Sequence, residues 1–273
     1  MVDYEVEYNN RARVPEHPVH IAAWASDAAT YRAITPHEAG ISYGPSAKEA
    51  YDFFPAAGGS GGPVILFIHG GYWQALDRAF FSHMAKGPNA SGLSVAVMSY
   101  GLCPEISMAT IVDQVRACAL AVWRKTGRKI VAAGHSAGGH LTAMLLATDW
   151  RALDPAAPAD LVSAGLSISG LFELEPLVGT SINTPLKMDI AEARRLSPLS
   201  LKPNAGTRHT AFVGGAESAE YLRQSRTITD IWGKAGCKTA YAEIAGANHF
   251  TVIAGFAEAR SELTDALVAL ASA

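Results

Sequence analysis

Residues 129–146 read KIVAAGHSAGGHLTAMLL, and few stretches leave a chain less conformational choice. An apolar run at 130–133 meets a helix-forming run at 141–146 across Gly134-His135-Ser136-Ala137-Gly138, a G-x-S-x-G. That order predicts a buried strand, a sharp turn and a helix, with Ser136 at the strained apex of a nucleophile elbow. Glycines two residues to either side let neighbouring backbone approach where a Cβ would clash. The hydroxyl then stands near a helix N-terminus, where backbone N–H groups stabilise a developing oxyanion. Gly-Ser turns also join strands to helices with no chemistry attached, so the rest of the chain has to decide between the two.

The surroundings repeat the same alternation. Val64–Ile68 and Val95–Met98 are continuous apolar runs, the pattern of parallel strands buried on both faces. Further strands are expected at 166–168, 211–213 and 239–244. Helices are expected at about 78–89, over 227–234, along the face formed by Ile111, Val115, Cys118 and Val122, and in a last helix presenting Ile253, Phe256, Leu263, Leu267 and Leu270. Strands alternating with helices imply parallel βαβ units. Ala50–Phe54 reads as a short edge strand and 58–63, GGSGGP, as a flexible loop. In the helical and irregular segment 1–42, Ile21, Trp24, Ala28 and Tyr31 recur at helical spacing. We read them as a helix packed on the outside of the domain rather than as a flap over a site. The stretch 171–208 carries Pro176, Pro185, Pro198 and Pro203 and reads as a lid-like excursion, too short for a cap domain. With no repeat or linker, residues 1–273 are expected to form one domain.

Composition excludes several roles. Hydrophobic residues make up 49% and charged residues 17%, enough for a sizeable core and against disorder. A net charge of -3 points to neither nucleic acid nor an anionic membrane as partner. No stretch approaches the ~18 apolar residues of a membrane helix. The opening MVDYEVEYNN is too acidic for a signal peptide. Cys103, Cys118 and Cys237 are widely spaced, which suits a reduced, cytoplasmic protein. No metal-ligand spacing is readable, and GGSGG precedes a strand rather than a helix, so neither a metal nor a nucleotide cofactor is expected.

In a parallel sheet, ligands bind beyond the carboxyl ends of the strands. Reactive residue types stand at four such exits. The elbow is one. After Val64–Ile68 comes His69-Gly70-Gly71-Tyr72-Trp73, whose backbone at Gly70, Gly71 and Tyr72, with Ala137 after the serine, forms a candidate oxyanion hole. Glu217 follows Gly214-Gly215, and His249 follows the last strand. A serine needs a base, and the base needs a carboxylate to hold its tautomer. Ser136, Glu217 and His249 occur in the order that an elbow-bearing sheet uses. Glu220, Asp230 and Glu243 compete for the acid's place, with Glu220 the fallback. His135 and His140 flank the serine and are expected to pack or hydrogen-bond locally. Tyr72 and Trp73 either stack on a substrate ring or belong to the core.

With those residues assembled, the chain resembles the α/β-hydrolase family and, within it, the arylformamidases (kynurenine formamidases) and their esterase-like relatives. HGGYW at 69–73, GHSAGGHL at 134–141, SGLFELEPL at 169–177, FVGGAES at 212–218 with YLRQS at 221–225, and GANHF at 246–250 carry the resemblance, together with YGPSAKEAYDFF at 43–54. Glu217 departs from the aspartate common at the acid position. The resemblance implies a mostly parallel central sheet with helices on both faces and no separate cap domain. It also implies attack by Ser136 on a formyl carbonyl of an N-formyl arylamine. The substrate is then a small amide or, on the alternative reading, a small acyl or aryl ester. A binding protein on the same fold would have no need of a complete triad. A homodimer is the expectation by fold-level analogy.

Overall fold

The structure is a computed structural model that describes residues 2–59 and 61–272; Ser60, inside the loop expected at 58–63, lies outside the described residues. Its centre is a sheet of eight strands: β1 (Glu38–Ser42), β2 (Ala50–Phe54), β3 (Val64–Ile68), β4 (Val95–Met98), β5 (Ile130–His135), β6 (Val162–Ile168), β7 (Arg208–Gly214) and β8 (Lys238–Ile244). They lie in the order β1-β2-β4-β3-β5-β6-β7-β8. The first two pairings, β1 with β2 and β2 with β4, are antiparallel, and the rest are parallel.

The apolar runs explain the centre. Along β3, Val64, Leu66 and Ile68 point into one core while Ile65 and Phe67 point into the other. On the first face lie the helices Met108–Thr126, Ala137–Leu146 and Ala219–Lys234, through Ile111, Leu141 and Ile228. On the second lie Trp24, Phe81, Leu263 and Leu267. Helices thus cover both faces of a mostly parallel sheet, the α/β-hydrolase arrangement that the resemblance implies.

The order of strands locates the site. From β3 the chain steps outward to β4, then crosses back to place β5 on β3's other side. Loops leaving β3 and β5 therefore bound a crevice at the carboxyl edge. Register brings their ends level, since Ile68 pairs with Gly134.

Three local expectations change. Ala50–Phe54 is not the edge; β1 lies outside it and is mostly exposed, so it carried no apolar signal. The span 78–89 forms two 3₁₀ turns, Arg78–Phe80 and Ser82–Ala85, and a short helix Lys86–Ala90, whose Gly87 and Pro88 are poor helix formers. The helix in which 227–234 was expected to lie is present, running from Ala219, where Ser218 caps it, to Lys234. The last helix is divided into a 3₁₀ turn Ala254–Ala257 and a helix Glu262–Ser272. Side chains divide it: Ser261 Oγ donates to the Gly255 carbonyl at 2.5 Å, and Thr264 Oγ1 donates to that of Glu258 at 2.7 Å. The excursion at 171–208 holds the 3₁₀ turns Glu175–Gly179 and Pro198–Ser200 and the short helices Asn183–Leu186 and Ile190–Arg195, and its Leu171, Phe172, Leu174, Leu177 and Leu196 are buried in the main core. Among the described residues no helix is long and apolar enough to cross a membrane.

Candidate active site

Ser136 sits between β5 and the helix Ala137–Leu146 with φ 56° and ψ −117°, a strained conformation for a residue with a side chain. The neighbours over-determine it. A Cβ on Gly138 would lie 2.0 Å from the Ile68 carbonyl oxygen, and one on Gly134 would lie 2.2 Å from that of Gly138. Only glycine lets the helix start so close to β3. The Ser136 N–H donates to the Ile168 carbonyl at 2.8 Å, which fastens the turn to β6.

The loop after β3 is braced as firmly. The His69 ring stacks on Tyr100 at 4.3 Å, and its Nδ1 donates to the Gly70 carbonyl at 2.7 Å. Burial pushes the imidazole down to about 4, so it stays neutral. Gly71, Tyr72 and Trp73 all take left-handed φ values, 109°, 50° and 57°. A phenol network offsets this strain at Tyr72. Its hydroxyl donates to the Tyr8 carbonyl at 2.5 Å and accepts from Tyr221 at 2.7 Å, while Asn10 Nδ2 donates to Tyr221 at 2.8 Å. Burial raises both phenols above their ordinary range, so they remain neutral donors.

The same left-handed run gives the two aromatic side chains different surroundings, although their rings remain edge-on at 6.2 Å. Tyr72 lines the cavity in front of Ser136. Trp73 does not: it is wholly buried, edge-on to His140 with ring centres 5.1 Å apart. Its expected place in the substrate wall is therefore corrected to the core.

Behind the cavity, His249 Nδ1 lies 2.6 Å from Glu217 Oε2. The other carboxylate oxygen accepts from the Gly214 N–H at 2.8 Å and from the Ser169 hydroxyl. These donors matter because the Glu217 side chain is fully buried, and a buried charge is tolerable only when paired and hydrogen-bonded. The competing acids face elsewhere. Glu220 takes the Tyr8 hydroxyl at 2.7 Å and Arg223 at 2.8 Å, and Glu243 pairs with Arg226. Asp230 is on the helix Ala219–Lys234. Sequence reasoning passed over Ser169, which follows β6 at φ 51°. Its signal is topological: β6 lies between the strands that precede Ser136 and Glu217.

Ser136 and His249 line one narrow cavity of about 50 Å³ with Gly70, Gly71 and Tyr72. No hydrogen bond joins the two side chains among the described residues; such contacts often tighten only around the transition state. Ala137, directly after Ser136, is the first residue of the helix. The remaining wall includes Ile21, Trp24 and Phe250. Ile21 and Trp24 belong to the helix His17–Ile34, which also lays His17 and His20 on Phe250 at 5.7 and 6.2 Å. This helix therefore walls the site, where simple outside packing was expected. Among the described residues no group of His, Cys, Asp and Glu is arranged to hold a metal ion.

Residues 65–253 match the family described as alpha/beta hydrolase fold, and the chain belongs to that family. The protein is an enzyme, a hydrolase of amide or ester bonds. It is similar to the kynurenine formamidase of Danio rerio, 29% identical over 91% of this chain and 87% of that protein, and to that of Salmo salar, 27% identical over the same shares. In structure it is similar to a candidate thioesterase from Silicibacter sp. TM1040, with a TM-score of 0.87 and 32% identity over the whole of both chains.

Proposed function

We propose that the enzyme hydrolyses a small N-acyl arylamide, of which N-formylkynurenine is the best candidate, through an acyl-serine intermediate. The supporting observation is His249, which shares a narrow cavity with Ser136 and has Glu217 Oε2 2.6 Å from its Nδ1. Glu217 on Nδ1 leaves Nε2 as the basic nitrogen. Nε2 takes the Ser136 proton as Oγ attacks the formyl carbon. The carbonyl oxygen becomes an oxyanion facing the N–H groups of Gly71, Tyr72 and Ala137, each such donor being worth ~10²–10³ in rate. His249 then returns the proton to the aryl nitrogen as the C–N bond breaks, which matters because an anilide anion leaves poorly. Water, deprotonated by His249, attacks the formyl-serine and releases formate. The small cavity and the similarity to formamidases both favour a formyl group.

A second reading is a small-acyl esterase, favoured by the likeness over the full chain to the candidate thioesterase. Acyl-serine chemistry serves both. The deciding experiment is a side-by-side rate panel of N-formylkynurenine, aryl acetates and acetyl thioesters, with Ser136→Ala as the blank. A formamide kcat/KM well above the ester and thioester values supports the first reading, and the reverse order supports the second. Substantial activity in Ser136→Ala, or labelling of another serine by an organophosphonate, removes the serine mechanism altogether.

A further inference from the structure

A second cleft, of about 230 Å³, shares Asn10, Arg11, Gly71 and Tyr72 with the cavity in front of Ser136. Asn9, Gln74, Ser181 and Ile182 complete it. Its wall thus combines amides, the Tyr72 and Ser181 hydroxyls, one guanidinium and the apolar Ile182. Apart from His135 and His249, Arg11 is the single basic or acidic side chain lining either space among the described residues. Its own side chain has no hydrogen bond or ion pair among the described residues.

Nearby acids are already engaged by other donors, Glu5 by the cleft's own Ser181. Glu5 accepts from the Ser181 N–H at 2.8 Å and its hydroxyl at 2.7 Å. Glu7 accepts from the Glu220 N–H at 3.0 Å, and Glu220 holds Arg223. Nor is Arg11 on a loose tail. It belongs to the helix Asn10–Arg13, capped by Asn9 Oδ1, which accepts from the Ala12 N–H at 3.1 Å. The preceding residue, Asn10, is buried and tied to Tyr221. The backbone carrying the cation is therefore fixed to the same phenol network that holds the oxyanion loop.

We propose that Arg11 selects substrates whose leaving group carries a carboxylate, binding that carboxylate in the outer cleft while the acyl carbon lies at Ser136. The planar guanidinium matches a carboxylate with two parallel hydrogen bonds, and no protein acid is paired with it among the described residues. The small inner cavity takes the acyl group, and the larger cleft takes the charged end of the aryl group. This rests on Ser136 being the nucleophile of the proposed reaction, but not on the acyl group being formyl.

The test uses two substrate pairs, aryl acetates and formanilides, each with a side-chain carboxylate or its methyl ester. The readout is the ratio of kcat/KM for the anionic to the neutral member, measured within one enzyme preparation so that partial misfolding cancels. Wild type is expected to favour the anionic member. Arg11→Gln should lower the ratio by about 10–100-fold, the usual value of a hydrogen bond to a charged group, and Arg11→Lys should lower it less. An unchanged ratio in Arg11→Gln overturns the proposal. So does an equal fall in Arg13→Gln, because Arg13 lines a different cavity and could act only through long-range charge. If formanilides are not cleaved but the acetate ratio collapses, Arg11 stands and the formamide reading fails. If both classes are cleaved with no change of ratio, the reverse holds.

Discussion

His135 Nε2 lies 2.9 Å from the carbonyl oxygen of His249, so the residue before Ser136 holds the loop that carries His249. A carbonyl only accepts, so Nε2 bears the hydrogen. Burial, followed by the neighbouring His249, keeps the His135 imidazole well below its ordinary range. It can therefore fix His249 without placing a second positive charge beside the imidazolium that the proposed mechanism requires there.

The choice of acid can be tested by exchange. Glu217→Gln should keep the fold but lower kcat by about 10⁴, because the amide no longer holds the tautomer or stabilises the imidazolium. Glu220→Gln should instead lower thermal stability, since that carboxylate joins Tyr8 to Arg223. Steady-state kinetics and melting curves on both variants separate the two; a near-normal Glu217→Gln with an inactive Glu220→Gln would reverse the assignment.

Gly70 offers a milder perturbation than the elbow glycines. An added Cβ would meet the His135 carbonyl oxygen at 2.8 Å and Ser136 Cβ at 3.0 Å. Gly70→Ala should fold and bind substrate, yet push the oxyanion loop off the nucleophile. We expect kcat to fall by ~10²-fold, about the loss of one oxyanion donor, with KM little changed. A kcat equal to wild type would show that Gly70 does not set the loop's distance from Ser136.

Acid should destabilise the fold well before the carboxylates titrate. Burial pushes His69, His140 and His209 down to about 4. In the unfolded chain they titrate near the ordinary value of about 6.5. Below that pH the unfolded state binds more protons, so stability is complete above about pH 6.5 and is lost as pH falls toward about 4. Each such histidine costs about 1.4 kcal/mol per pH unit across that window. Urea midpoints should fall steadily between about pH 7 and about pH 5; a flat profile would mean that these rings accept protons in the folded state.

A narrow acyl side predicts a steep dependence on chain length. With Gly70, Gly71 and Tyr72 close to Ser136, aryl esters from formyl through acetyl and butyryl to octanoyl should show falling kcat/KM. Values that rise toward octanoyl would put the esterase reading ahead of the formamidase.

The parts legible in the sequence share one physical cause. Strands buried on both faces must be continuously apolar, which marked β3, β4 and β5 and hence their exits, including Ser136. What escaped depends on three-dimensional neighbours. The mostly exposed β1 had no apolar pattern to read. Ser169 becomes meaningful only once β6 is known to lie between β5 and β7. Whether Tyr72 or Trp73 faced the cavity turned on a left-handed backbone that no propensity specifies. The stripe of Ile21, Trp24 and Ala28 signalled a buried face without saying that part of it walls a catalytic cavity.

The chain meets itself at this site across long distances: Tyr8 reaches Glu220 over 212 residues, and His135 reaches His249 over 114. Such contacts are slow to close. On the proposed mechanism, a polypeptide still on the ribosome and halted before residue 249 has Ser136 but not His249 and is without hydrolytic activity. On dilution from denaturant, helical circular dichroism should return first and hydrolysis last, a lag that records the time the two ends of the protein need to find one another.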